Sequence, residues 1–194
     1  RFLRFNRLTG TMSGAADFQG QGLDKVSVKS NLNATGDLQL RSGEFKNFPF
    51  ITKLLDWLGL KNYSDVTYDN LQCSFQISNG KTMVKDWTLS SRTGNYLANG
   101  TIGLNGDLDL NVAVTLPKHE SDIIKNYHGD WVFYVDERGN AVIDMLVSGK
   151  FASPAFKLDA NKMKERLSGK LKDEFKKKKE DFEQQLRDLL KRKW

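Results

Sequence analysis

Cysteine, proline and histidine are scarce in this sequence: one, three and two respectively in 194 residues. A single thiol, Cys73, makes no intrachain disulfide and no cysteine-rich metal site; on a strand it reads as a small apolar side chain. His119 and His128 stand in a polar connector at a spacing that matches no common zinc pattern, and they read as loop residues facing solvent. No run of 18 or more apolar residues is present, so no segment has the make-up of a membrane-crossing helix. The opening residues carry no signal peptide and read as mid-domain sequence. The expectation is therefore a longer protein, with any membrane anchor upstream of this chain.

Catalytic patterns are missing too. Ser148 lacks the glycine two residues before it that a nucleophile elbow requires, and no glycine loop cradles a phosphate. Asp107, Asp109 and Asn111 have the spacing of a calcium loop. The intervening Leu108, Leu110 and Val112, and the missing sixth-position glycine, mark them instead as the wet side of a strand. The expectation is a protein without enzymatic activity, metal or cofactor.

The net charge of +6 is unevenly placed. Residues 1–160 hold 17 basic and 17 acidic side chains, whereas residues 161–194 hold 13 and 7. The basic character belongs to a tail and not to the body. That tail lacks the interleaved aromatics of a base-stacking surface, so nucleic acid is not an expected partner.

What the sequence does have is alternation. From Asn99 to Pro117, Ile102, Leu104, Leu108, Leu110, Val112, Val114 and Leu116 occupy even positions, and the odd positions are mainly polar. Side chains alternate across a strand, so one side is apolar and the other wet. The even register also runs through residues 2–20 and from Val26 to Leu40, both read as strands. Trp131, Phe133 and Val135 form a further strand, and Ala141 to Phe151 another. Keeping apolar residues on one face sets the hairpins. At Asn105-Gly106 an odd-length loop puts Ile102 opposite Leu108. At Asn79-Gly80 the same rule puts Phe75 opposite Met83 and Leu71 opposite Trp87. The spacing of glycines at face positions suggests a sheet that bends sharply.

Two segments change period. Phe50, Ile51, Leu54, Leu55 and Leu58 fall at helical spacing, with Pro49 in the first turn and Gly59 as stop. With Trp57 added, this helix near residues 48–58 is apolar around most of its circumference and has to be buried. From residue 160 to 194, Met163, Leu167, Leu171, Phe175, Phe182, Leu186 and Leu190 form a narrow apolar stripe on a charged helix about 50 Å long. Such a stripe suits an anionic membrane surface or a protein partner. The stretch "KHESDIIKNYHGD" carries no pattern that assigns it.

Four stretches in order carry a family likeness: "LNATGDLQLRSGEFKNFPFITKLLDWLGL", "YDNLQCSFQISNGKTMVKDWTLSS", "GNYLANGTIGLNGDLDLNVAVTLP" and "VSGKFASPAFKLD". Together they resemble the C-terminal domain of the AsmA-like family of bacterial envelope proteins, over residues 23–159. The resemblance implies a periplasmic domain of a protein held in the inner membrane. It also implies a non-enzymatic role in moving phospholipid acyl chains toward the outer membrane along an apolar groove.

The expected fold is thus mostly β with appended helices. A long, strongly curved antiparallel sheet of taco-like shape fills residues 1–159, and residues 160–194 form the amphipathic helix. The groove lining would be Phe75, Ile77, Met83, Trp87, Leu89, Ile102, Leu104, Leu108, Leu110, Val112, Val114, Phe133 and Ile143, facing a phospholipid or another apolar ligand. The alternative expectation is a module for outer-membrane protein assembly, which engages envelope proteins and keeps the same face as dry core.

Overall fold

A computed structural model describes residues 8–22, 24–46, 48–61, 63, 65–128 and 134–191, side chains excepted at 25, 26, 28, 65, 174, 175, 182 and 185–191. The chain divides into two compact units, residues 1–158 and 159–194.

Among the described residues, the first unit is one antiparallel sheet of nine strands with three helices. In chain order these are β1 (Leu8–Gln19), α1 (Lys25–Asn31), β2 (Asn33–Lys46), α2 (Pro49–Trp57), β3 (Asp65–Ser78), β4 (Lys81–Ser91), β5 (Gly94–Gly103) and β6 (Asp107–Leu116). They are followed by α3 (Lys118–Tyr127), β7 (Tyr134–Val135), β8 (Ala141–Lys150) and β9 (Ser153–Leu158). The strands lie side by side as β1-β2-β3-β4-β5-β6-β8-β7, with β9 also paired to β8.

Side-chain alternation makes one face of this sheet apolar, and the cross-strand register aligns it in rows. One row runs Leu40, Leu71, Leu89, Tyr96, Val114, Ile143, and the next runs Leu38, Cys73, Trp87, Ala98, Val112, Met145. Trp87 and Cys73 share the second row through the bulge described below. Burial of Cys73 pushes its thiol pKa up, which fits the inert apolar role.

The strongly curved, taco-like groove does not form. The sheet is open and not strongly curled, and its end strands do not meet. Nearly every residue of β1 is exposed, Met12 at 65% and Phe18 at 77%, so no wall of the sheet folds over that end of the apolar face. Elsewhere helices cover the face in place of the sheet itself. Leu54, Leu55 and Leu58 from α2 and its cap, with Ile124 from α3, complete one core with β4, β5, β6 and β8. Once helices bury the strands, curling gains no further apolar area.

α2 is well specified by its sequence. Pro49 opens it, where a missing N–H costs nothing. At its end Gly59 takes φ +81°, the Leu60 N–H donates to the Leu55 carbonyl (2.8 Å), and the Gly59 N–H donates to that of Asp56 (3.1 Å). This is the paired closing bond of a glycine-terminated helix, and Leu55 and Leu60 are both buried in the same core.

Two further expectations are corrected, and a stretch that the sequence left unassigned takes a structure. Val26 and Val28 belong to α1 and not to a strand, because Asp24 caps the segment: its Oδ1 accepts the Ser27 N–H at 3.0 Å. The unassigned polar stretch is helical, as α3. His128 is no free loop residue, since it closes α3 with its Nε2 2.8 Å from the Trp57 carbonyl oxygen.

A second, smaller core joins Leu40, Phe45 and Tyr68. Here β2 carries an extra residue at Ser42 (φ +50°), which shifts the apolar register from Leu40 to Phe45. Gly43 leaves the space that the Tyr68 ring fills; a methyl there would collide with the Thr9 carbonyl oxygen and the Tyr68 hydroxyl. The buried Tyr68 hydroxyl donates to the Thr9 carbonyl at 2.6 Å. Tyr68→Phe leaves that carbonyl without this donor and should cost about 1 kcal/mol. In a thermal melt this appears as a fall of roughly 2–4 °C.

The second unit is α4 (Ala160–Lys191), capped by Asp159, whose Oδ1 accepts the N–H groups of Asn161 and Lys162, each at 3.1 Å. Met163, Leu167 and Leu171 recur every fourth residue along it, among ion pairs such as Lys162–Glu165 at 3.2 Å. No described helix is long and apolar enough to cross a membrane.

Candidate functional site

A cleft of about 250 Å³ lies between α2 and the apolar face of the sheet, and its wall is almost wholly apolar. The floor is Trp87, Leu89, Tyr96, Ala98, Ile102, Leu108, Leu110 and Val112; the roof is Phe50, Ile51 and Leu54, with Phe45, Phe48 and Phe151 at the side. The floor exists because small residues stand among large ones. Ala98 sits between Trp87 and Val112, and Gly100 sits between Val84 and Leu110.

Aromatic rings hold the roof. Phe50 stacks on Phe151 at 5.5 Å between centroids, with Phe48 edge-on to Phe151 at 5.9 Å and Trp57 against Phe156 at 5.7 Å. Contacts of this kind fix a helix at a set height above a sheet, so a gap can persist beneath it. Lys53 also ties the outer side of α2 to the Ala152 carbonyl at 2.8 Å.

Close to the floor at Tyr96 are polar groups. The Tyr96 hydroxyl lies 3.3 Å from Thr93 Oγ1, which pairs with Ser91 Oγ at 2.9 Å. Burial pushes the Tyr96 pKa up, opposed by the hydrogen bond from Thr93. On α3 the buried Glu120 accepts the Tyr63 hydroxyl at 3.1 Å, and burial followed by that bond raises the Tyr63 pKa. These groups satisfy one another. None is paired with an activated nucleophile, and the described residues contain no group of three His, Cys, Asp or Glu able to hold a metal.

Of the thirteen lining residues expected from the sequence, the cleft brings together Trp87, Leu89, Ile102, Leu108, Leu110 and Val112. Val114 and Ile143 share the face but are fully buried core. Phe75 and Ile77 lie on the same face outside the cleft; Phe75 borders a shallow hollow with Met12 and Leu38. Met83 is on the opposite face, 54% exposed. Leu104 belongs to the β5–β6 loop, where its N–H donates to the Gly80 carbonyl at 2.8 Å. It lines an open polar depression together with Lys29, Lys81 and Asp107. Phe133 lies outside the described residues, as do the side chains of Phe175, Phe182, Leu186 and Leu190.

The Met83 difference has a local cause. Asn79 (φ +50°) and Gly80 (φ +73°) make a two-residue turn with Ile77 opposite Thr82, and not the expected odd-length loop. Val84 therefore takes the apolar face opposite Phe75. An extra residue at Asp86 (φ +50°) then returns Trp87 and Leu89 to that face. The β5–β6 hairpin does place Ile102 opposite Leu108 across a three-residue loop. The sequence reading left out Leu71, Tyr96 and Ala98 of the sheet and Phe45, Phe48 and Phe151 at the side; for the last three, the all-round apolar character of α2 was the signal that its flanks needed partners.

No family profile, curated protein or solved structure matches the chain. The site stands on its geometry alone.

Proposed function

We propose that the first unit is a non-enzymatic lipid-handling domain that takes an aliphatic chain of a phospholipid into the cleft beneath α2. The apolar cleft carries this reading. A wall with almost no polar group gives water few partners, and each methylene moved into it from water contributes about 0.8 kcal/mol. The likeness to AsmA-like proteins gives the setting of the proposal: the periplasm of a bacterial envelope, in a protein held in the inner membrane by a segment outside this chain. The role would be phospholipid traffic that maintains the outer membrane.

The test is mass spectrometry of organic extracts from purified protein, joined to titration with a fluorescent fatty-acyl probe. Co-purified phospholipid and saturable probe binding are expected; loss of both would overturn the reading. Complete burial of Val114, Leu116 and Ile143 favours a second reading, a protein-assembly module with a dry core. It gains ground if extracts are empty and envelope proteins bind.

For α4 the reading is contact with an anionic membrane surface, because the excess of lysine beside an apolar stripe matches negative headgroups. Deleting residues 160–194 should then reduce flotation with phosphatidylglycerol vesicles at least tenfold. Unchanged flotation would dispose of this role.

A further inference from the structure

We propose that the polar depression at the β5–β6 loop receives the headgroup of the lipid, and that this headgroup carries a phosphate and a primary ammonium. The inference rests on the acyl-chain reading of the cleft. Two features join the hollows. Leu108 lines both, in the floor of the cleft and in the wall of the depression. The β5–β6 loop is also tied to the side wall of the cleft, because the Phe151 N–H donates to the Gly106 carbonyl at 2.8 Å. A chain leaving the cleft at Leu108 therefore passes from an apolar wall to a charged one.

The charges there are of both signs, and the fold fixes where they stand. Two turns meet at this end of the sheet, since the Leu104 N–H donates to the Gly80 carbonyl at 2.8 Å. Lys81 leaves the first turn opposite Gly103, and Lys29 reaches the depression from α1. Asp109 stands on the wet side of β6 opposite Thr101. Asp107 is already engaged: Lys150 Nζ lies 2.5 Å from its Oδ1, and the Asn105 amide donates to its Oδ2 at 2.7 Å. Among the described residues no such partner holds the side chains of Lys29, Lys81 or Asp109. Two ammonium groups and one carboxylate, free in one hollow, complement a group with one phosphate and one ammonium. The lysines take the phosphate oxygens and Asp109 takes the ammonium. A headgroup without a cation would leave the Asp109 carboxylate facing only negative charge.

Displacement of a fluorescent fatty-acyl probe from the full chain tests this, with dihexanoyl phospholipids as competitors. The phosphatidylethanolamine should displace the probe about fivefold more readily than the phosphatidylglycerol. Asp109→Lys should abolish that preference, and Lys81→Glu should weaken both lipids about tenfold. Both positions are exposed, so binding of the probe itself and the thermal melt should not change in either variant. A probe that binds while the lipids show no headgroup preference overturns the headgroup site and leaves the cleft reading standing. So does a preference that survives Asp109→Lys. Failure of the probe to bind overturns the cleft reading and this inference with it. Glycerophosphoethanolamine, which has no acyl chain, separates the two sources of this chemistry. Binding as tight as that of the dihexanoyl lipid would make a free solute the ligand and overturn the lipid assignment.

Discussion

Ala98→Trp should abolish acyl-chain binding while leaving the protein folded. Ala98 lies in the cleft floor, between Trp87 on β4 and Val112 on β6, and its methyl faces the gap beneath α2. An indole there occupies the volume that a ligand would use. If it displaces four methylenes, about 3 kcal/mol of burial is lost, a weakening on the order of 200-fold. The fold should suffer little, because the ring enters space that is already empty and apolar; the melting temperature should move by only a few degrees. Titration with a fluorescent acyl probe and a thermal melt on the same sample separate the outcomes. Unaltered binding in a folded variant would show that the ligand sits elsewhere. Should the indole disturb α2, Ala98→Ile places a smaller plug at the same point and should give a partial loss.

How far the sequence reached depends on the element. β6 was legible to the residue: Leu108, Leu110, Val112, Val114 and Leu116 are buried, and the polar positions between them are exposed or half-buried. Strand alternation and burial are the same signal there, since helices cover one face and water or partial cover the other. β4 misled because its continuous odd pattern, Met83, Trp87 and Leu89, hides an inserted residue. Asp86 adopts φ +50° and its N–H donates to the Asn99 side chain at 2.8 Å, so the register changes partway along the strand. Val84, and not Met83, is the residue that reaches the core. Alternation cannot report such a bulge, because the apolar face before and after it looks equally regular.

Curvature was illegible for a different reason. A one-sided apolar sheet can bury its face by curling or by accepting a helix, and both use the same strand pattern. The deciding information lay outside the strands, in α2. Its apolar residues point both toward the core (Leu55, Leu58) and toward the cleft (Phe50, Ile51, Leu54), which a helix does when it is laid across a sheet. The same element creates the cleft. The expected groove along the whole sheet is replaced by a short space under one helix.

Leu55→Ala should be the most damaging of the substitutions considered, and it tests whether α2 is what defines the site. Leu55 is 1% exposed, belongs to the main core and closes the helix against Leu60 at the Gly59 terminus. Removing a buried leucine down to the β-carbon costs about 2–5 kcal/mol, toward the upper end where neighbours cannot collapse into the gap. Here the aromatic contacts of Phe50 and Trp57 hold the helix at its height and resist such collapse. At roughly 2–4 °C per kcal/mol for a unit of this size, a fall of about 4–20 °C in the melting temperature is expected. Binding should weaken as well, because a loosened α2 no longer excludes water from the wall it shares with β4, β5 and β6. Comparison with Ala98→Trp makes the two effects separable: one removes binding with stability kept, the other lowers both. If Leu55→Ala left stability unchanged, α2 would not be a fixed part of the core, and the cleft would lose its roof as a defined feature.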